Sequence, residues 1–153
     1  MATVQHKDIV AAELHETKGV SAASTGTFLK ASAGVGVWGY QQYNLDADIT
    51  SLNTATAYYI TAPFAANILK IWSVIDAAIA TADTTITASI GGVNVTDGMI
   101  TIAFTGSAAG DVDSCTPTAL NAVGAGATIK FTVNGASTGA ARCHLNIILN
   151  RTA

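Results

Sequence analysis

Charged side chains are scarce in this chain. Lys, Arg, Asp and Glu make up 11% of its residues, and half of all residues are hydrophobic, whereas about 25% of an ordinary soluble domain is charged. A protein surface with so few charges is rarely fully exposed to solvent, because large exposed apolar patches usually mark contacts with other protein surfaces. The composition therefore predicts a subunit of an assembly and argues against a free-standing monomer.

Basic residues are too few and too dispersed to form a nucleic-acid-binding surface. The seven Lys and Arg residues are scattered from Lys7 to Arg151, whereas a protein that neutralises phosphates presents them as a patch or stripe. The apolar stretches are broken by Lys70, Ser73 and Asp76, well short of the roughly 20 residues that a membrane helix needs. The first ten residues, MATVQHKDIV, lack the apolar region of a secretory signal. We therefore expect no nucleic-acid partner, no membrane partner and no secretion.

Cysteine is nearly absent, with only Cys115 and Cys143 in 153 residues. Without a secretory signal, the expected compartment is a reducing one, in which thiols persist. Free Cys behaves as a small, weakly polar core residue. We expect both residues to be buried thiols and not a disulfide.

No motif for catalysis, cofactor binding or metal binding is complete. The Gly34–Gly39 segment (GVGVWG) matches a dinucleotide-binding glycine pattern, but no apolar strand precedes it and no amphipathic helix follows it. Residues 13–16 (ELHE) lack the second His, four residues on, that a zinc protease needs. Asp111 and Asp113 are followed by none of the further oxygen ligands of an EF-type calcium loop. We therefore expect no enzymatic activity, no catalytic residue, no cofactor and no metal.

Alternation of apolar and polar residues dominates the chain from about Tyr58 onward. Such a period of two is typical of half-buried strands, and outward-facing Thr residues favour a strand over a helix. The dipeptides Gly91-Gly92, Asp97-Gly98 and Asn134-Gly135 are of the type found in two-residue hairpin turns. The pattern predicts strands at residues 57–61, 68–75, 84–90, 93–95, 99–104, 127–133 and 142–149. This spacing predicts an all-β fold, an antiparallel β-sandwich or jelly roll.

The segment ILKIWSVI (68–75) is apolar on both faces of the predicted strand. Strict alternation places Ile68, Trp72 and Val74 together on one face. Either this is a central strand covered by a loop, or these three residues lie at a subunit interface. The segment then continues as SVIDAAIATAD (73–83), for which we expect a strand followed by a turn.

Residues 1–45 differ in composition from the rest of the chain. They are rich in Ala, Gly, Ser and Thr, and the aromatic residues Phe28, Trp38, Tyr40 and Tyr43 are spaced among small ones. Small residues allow close approach to another surface, and spaced aromatics provide anchors. We expect an extended N-terminal arm at residues 1–45 and a β-domain at residues 46–153.

The run AAELHETKGVSAASTGTFLKASAGVGVW resembles the N-terminal segment of small capsid-associated proteins of tailed bacteriophages. In that segment a Leu-His-Glu-Pro-Lys-Gly-Val stretch leads through small residues to a Gly-rich turn that ends in Trp. Thr17 stands here where proline is usual. Similarity continues downstream in YYITAPF, the Gly91-Gly92 hairpin, ITIAFTGSAAGDV and the closing strand, so it covers nearly the whole chain. The matching residues of the first segment are Leu14, His15, Glu16, Lys18, Gly19, Val20 and Trp38.

The resemblance implies a capsid decoration, or head cement, protein. Its partners would be the major capsid protein and further copies of itself, as a homotrimer on the outer capsid surface of a virion assembled in the host cytoplasm. The arm would bridge neighbouring subunits. Its expected contact residues are Leu14, His15, Glu16, Lys18, Phe28, Trp38 and Tyr40. The alternative is another virion part, a head-fibre, tail-spike or host glycan-binding β-module.

Overall fold

The structure is a computed structural model that describes the backbone of residues 27–32 and 35–152 and the side chains from Gly39 onward. Within these residues the chain forms strands and no helix. It divides into a first unit, residues 1–39, and a second, residues 40–153. A two-stranded sheet is formed by β1 (Thr27–Ser32) and β2 (Val35–Tyr40), of which all but the last residue belong to the first unit.

Two antiparallel sheets build the second unit, so the predicted all-β antiparallel fold is confirmed. The first, called the five-stranded sheet, has the order β3-β11-β5-β8, with β9 also paired to β5. The second, called the four-stranded sheet, has the order β4-β10-β6-β7. The five-stranded sheet comprises β3 (Gln42–Ile49), β5 (Ala66–Ile75), β8 (Val112–Cys115), β9 (Ala122–Val123) and β11 (Cys143–Arg151). The four-stranded sheet comprises β4 (Thr56–Thr61), β6 (Thr84–Ile90), β7 (Val93–Ile102) and β10 (Thr128–Val133).

The buried side chains of both sheets form one hydrophobic core. Ile86 and Phe131 enter it from the four-stranded sheet, and Ile71, Leu145 and Ile147 enter it from the five-stranded sheet. Complete burial of such a side chain is worth about 1.5–3 kcal/mol. The alternation seen in the sequence therefore marks the faces that hold the sheets together, and the opposite faces are left for other contacts.

A β-bulge in β5 overturns the predicted grouping of Ile68 with Trp72 and Val74. Ile68 pairs with Leu149 and Lys70 with Ile148, so Leu69 is an extra residue with no partner on β11. An extra residue reverses the alternation. Ile68 is therefore fully buried in the core, while Trp72 and Val74 lie on the outer face. β5 has neighbours on both sides, as expected of a central strand.

Of the three predicted hairpin turns, one is confirmed. Asn134-Gly135 lies in the loop between β10 and β11 and does not join two strands in a two-residue hairpin. Gly91 and Gly92 join β6 to β7 in a hairpin, both with positive φ, as expected. Asp97-Gly98 makes no hairpin and lies inside β7, so the two strands predicted there are one. The register between β6 and β7 shifts here, because Thr87 pairs with Met99 whereas Ser89 pairs with Asn94. Thr96, one of the β7 residues between these pairs, forms a backbone bridge with Ala119.

Strand β3 lies partly inside the predicted arm. Its residues from Gln42 pair with β11, for example Tyr43 with Leu149 and Leu45 with Ile147. The boundary placed at residue 45 therefore cuts a strand, and the second unit begins at Tyr40. The predicted strand at the start of 73–83 is confirmed as far as Ile75, where β5 ends, and an irregular connection with bends follows before β6.

Candidate functional site

The outward-facing side of the five-stranded sheet carries the polar and aromatic residues that the core does not use. Antiparallel pairing places them in rows across the strands, because residues directly opposite one another share a face. One row runs Asp48, His144, Val74, Val112, and the next runs Asp46, Asn146, Trp72, Ser114. Together with Lys70, these residues are called the outer face.

His144 lies between two carboxylates of the neighbouring strand. Its Nδ1 lies 2.8 Å from Oδ1 of Asp48, and its Nε2 lies 3.3 Å from Oδ1 of Asp46. Asn146 donates a further hydrogen bond of 2.8 Å to the same Asp46 oxygen. The hydrogen bond to Asp48 is the main cause that raises the pKa of His144 above its ordinary value. When it is protonated, the imidazole donates from both nitrogens, and each of them then faces a carboxylate.

Trp72 and two valines form the apolar part of the outer face. Val74 is 38% exposed and its cross-strand partner Val112 is 55% exposed, whereas Trp72 is half-buried. The ammonium nitrogen of Lys70 lies 3.8 Å from the centre of the Trp72 ring, a cation–π contact. A small apolar strip with a polar rim is the arrangement expected of a contact surface.

A cleft of about 500 Å³ opens where β3 and β5 end and β11 begins. Antiparallel order brings these three strand ends to one edge of the sheet. The backbone N–H of Arg142 donates a 2.7 Å hydrogen bond to Oδ1 of Asp76, and the N–H of Asp76 donates to the carbonyl of Arg142 at 3.2 Å. The lining residues are Asp48, Ile49, Thr50, Val74, Ile75, Asp76, Arg142, Cys143 and His144.

Cys143 at the floor of the cleft is unsuited to nucleophilic chemistry. Burial raises the pKa of its thiol to about 12, and burial likewise raises the pKa of Cys115 to about 11. The thiolate is the reactive form, and it is nearly absent at neutral pH when the pKa is so high. Both cysteines are free and buried, which confirms their predicted place in the core.

The predicted arm contacts fall largely outside the described residues. Leu14, His15, Glu16 and Lys18 lie in the part of the chain that the structure does not describe. Phe28 lies in β1, and Trp38 and Tyr40 lie in β2. Residues 35–39 of the glycine motif are therefore part of a strand and do not open a helix. The contact roles of the arm stay predictions.

The predicted interface residues separate in the structure. Trp72 and Val74 lie together on the outer face, but Ile68 belongs to the core. The sequence pattern does not indicate the acidic and amide residues beside them, nor the cleft. Alternation along each strand is the one signal available for these residues, and it does not show that β3 pairs with β11.

No protein-family model and no curated protein matches the chain. In the described part of the chain, the His, Cys, Asp and Glu side chains form no group of three or more suited to a metal ion. Nor does that part contain a helix of the length and apolarity needed to cross a membrane.

Proposed function

We propose that this protein is a structural virion component, a decoration protein that binds the outer capsid surface of a tailed bacteriophage through its N-terminal segment. The observation that carries the proposal is the run Leu14–Val20 followed by small residues up to Trp38, which ends where a separate compact β-unit begins at Tyr40. An N-terminal unit distinct from the two-sheet unit suits a tether. The low charge content suits a subunit whose surface is covered by neighbours.

We further propose that the second unit is a β-sandwich of the jelly-roll type. Its eight longer strands pair first with last (β3·β11), second with seventh (β4·β10), third with sixth (β5·β8) and fourth with fifth (β6·β7). This nesting is what one long antiparallel hairpin generates when it is rolled up into two sheets. Jelly rolls of eight strands are common in viral capsid domains, so the topology supports the same function.

Attachment would be driven by burial of the arm. Any part of the arm that becomes ordered only on docking loses conformational entropy. Burial of Phe28, Trp38, Tyr40 and neighbouring aliphatic groups offsets this loss at about 25 cal/mol per Å² of apolar area. Copies joined as a trimer would bind several capsid sites at once and gain avidity. Bridges between capsomers would then have to be broken before the shell could open.

The apolar strip of the outer face supports contact between copies. Val74 and Val112 lie side by side and exposed next to Trp72, and aromatic residues are enriched at such interfaces. We propose that the subunit-interface role that the sequence suggests is kept by Trp72 and the part of Val74 beside it, without Ile68, and that this contact leaves the cleft open on the other side of Val74.

Co-sedimentation with undecorated capsids of the parent virus tests the proposal. We expect the full-length chain to pellet with the capsids in a saturable manner and to raise the temperature at which they release DNA. Binding to purified tails of the same virus is measured in parallel, as the alternative binding partner. Failure to bind capsids at any protein concentration, with binding to purified tails instead, would overturn it.

A further inference from the structure

We propose that the cleft at the ends of β3, β5 and β11 is a binding site for a neutral saccharide unit. The proposal concerns residues of the second unit and does not depend on attachment of the arm to a capsid. Its volume of about 500 Å³ lies within the range of roughly 300–1,000 Å³ that is usual for small-molecule sites. The chemistry of its walls decides which class of molecule fits.

Two carboxylates in the cleft keep one oxygen each for a ligand. Within the described residues, Asp48 accepts its hydrogen bond from His144 at Oδ1, and Asp76 accepts its hydrogen bond from Arg142 at Oδ1. The second oxygen of each carboxylate receives no hydrogen bond from that part of the chain. An ionised carboxylate has about four lone-pair sites and donates nothing. The two side chains therefore offer strong acceptors to groups that donate.

Two residues with donor side chains, Arg142 and His144, also line the cleft. The guanidinium of Arg142 forms no ion pair with any residue of the described range, and it presents five N–H groups. His144 adds a second positive charge when it is protonated, as its raised pKa favours. The cleft thus holds two potential anions and two potential cations around one space.

This balance disfavours an ionic ligand. A charged molecule would meet attraction and repulsion of similar size, and the remaining difference is screened in an open cleft. A hydroxyl group donates one hydrogen bond and accepts two, so a polyhydroxylated molecule can use both kinds of partner without bringing a charge of its own. A neutral sugar therefore fits the donor and acceptor pattern better than a phosphate, a carboxylate or an amine.

Apolar surface next to the cleft completes the match. A pyranose ring carries C–H groups as well as hydroxyls, and these need apolar contacts. Val74 lines the cleft and is 38% exposed. Val74 therefore offers an apolar contact to the C–H groups of a sugar ring held in the cleft.

The test is an NMR titration of the ¹⁵N-labelled full-length protein with lactose, maltotriose and diacetylchitobiose, up to tens of millimolar. Sialyllactose serves as the anionic probe and trilysine as the cationic one. We expect saturable shifts with at least one neutral sugar, centred on the amides of Thr50, Asp76, Arg142 and His144. The charged probes should bind at least about 10-fold more weakly, equivalent to about 1.4 kcal/mol.

A pair of matched variants separates binding from folding. Asp76→Asn keeps an acceptor for the Arg142 N–H but replaces the free carboxylate oxygen with a donor, and it should weaken sugar binding at least about 10-fold. The control is Asp83→Asn, because Oδ1 of Asp83 likewise accepts a backbone hydrogen bond, from Phe104 at 3.0 Å, outside the cleft. It should leave sugar binding unchanged.

Three results would overturn the proposal: no saturable shift with any of the three neutral sugars, equal binding by wild type and Asp76→Asn, or tighter binding of a charged probe. Capsid co-sedimentation of Asp76→Asn is expected to match the wild type. A capsid-binding protein without sugar binding would refute only this site, and sugar binding without capsid binding would refute only the proposed function.

Discussion

Replacing Gly135 with alanine should destabilise the second unit far more than the same change at Gly126, a glycine with a similar backbone conformation. Gly135 has a φ of +69° in the loop that follows β10. A Cβ at this position would lie 2.2 Å from the backbone nitrogen of Ala55 and 2.7 Å from the carbonyl carbon of Thr54. Since ordinary contacts begin at 3.4 Å, one of the two backbone segments would have to move by more than 1 Å.

Neither segment is free to move. Thr56, just after Ala55, pairs with Val133, just before the loop. Asn134 accepts hydrogen bonds from the N–H groups of Thr85 and Ala136. We expect a loss of about 3 kcal/mol, of which roughly 1 comes from the left-handed backbone and the rest from overpacking. That is a large part of a typical unfolding free energy of about 5–15 kcal/mol.

Gly126→Ala is the matched control. Gly126 has a similar φ of +73°, but apart from its neighbours in the chain no group of the described residues lies within 4 Å of the point that a Cβ would occupy there. The Gly126→Ala variant should therefore lose only about 1 kcal/mol. Urea unfolding followed by circular dichroism gives both free energies, provided that the slope with denaturant is unchanged. Equal losses for the two variants would refute the close approach of the two loops.

Three further predictions concern single side chains. His144→Gln should lower the unfolding free energy by only a fraction of a kcal/mol, because the ion pairs of His144 are exposed. Since the pKa of His144 is raised in the folded protein, this loss should be full below the ordinary pKa of about 6.5 and should vanish as the pH rises through the folded value. A loss that does not change with pH, measured by urea unfolding between about pH 5 and 9, would contradict this prediction. Cys143, with its pKa raised to about 12, should react with a thiol reagent at about pH 8 only after urea unfolding, and rapid labelling of the native protein would contradict its burial. Thr84→Val should raise the unfolding free energy by about 1 kcal/mol, because the buried Thr84 hydroxyl has no hydrogen-bond partner in the described part of the chain; a lower urea midpoint would show that it has one.

Strands with a clean division of their two faces can be predicted from the sequence. In β6 and β10, the apolar residues that alternate with Thr are the ones that the core buries, such as Ile86 and Phe131. The alternation predicts both ends of β6 correctly and those of β10 to within one residue. A single hydrophobic face is a local property, so local sequence is enough to find it.

Bulges and an acidic strand are not visible in the pattern. The extra residue Leu69 looks like any other apolar residue, yet it moves Ile68 from the outer face into the core. Asp97-Gly98 has the composition of a hairpin turn, but it lies within a strand whose neighbouring residue Thr96 is bridged to Ala119. The outward-facing residues of β3 include Asp, a residue type that strands generally disfavour, and β3 follows a Gly- and Ser-rich segment. Its local composition therefore does not indicate a strand.

The candidate site depends on contacts between distant parts of the chain. His144 and Asp48 are 96 residues apart and meet because β11 pairs with β3. Which strands become neighbours is decided by the whole topology and not by either strand alone. The sequence can therefore indicate that Trp72 and Val74 face outward together, but it cannot show the carboxylates, the imidazole and the guanidinium gathered beside them.

The most direct test of the central claim compares the full-length protein with a variant that lacks residues 1–40, in co-sedimentation with undecorated capsids of the parent virus. The shortened chain keeps every strand of the two antiparallel sheets of the second unit, so we predict a cooperative thermal transition and a β-type circular dichroism spectrum. We also predict that saturable capsid binding, present in the full-length chain, is lost. Undiminished binding by the shortened chain would contradict attachment through the N-terminal arm.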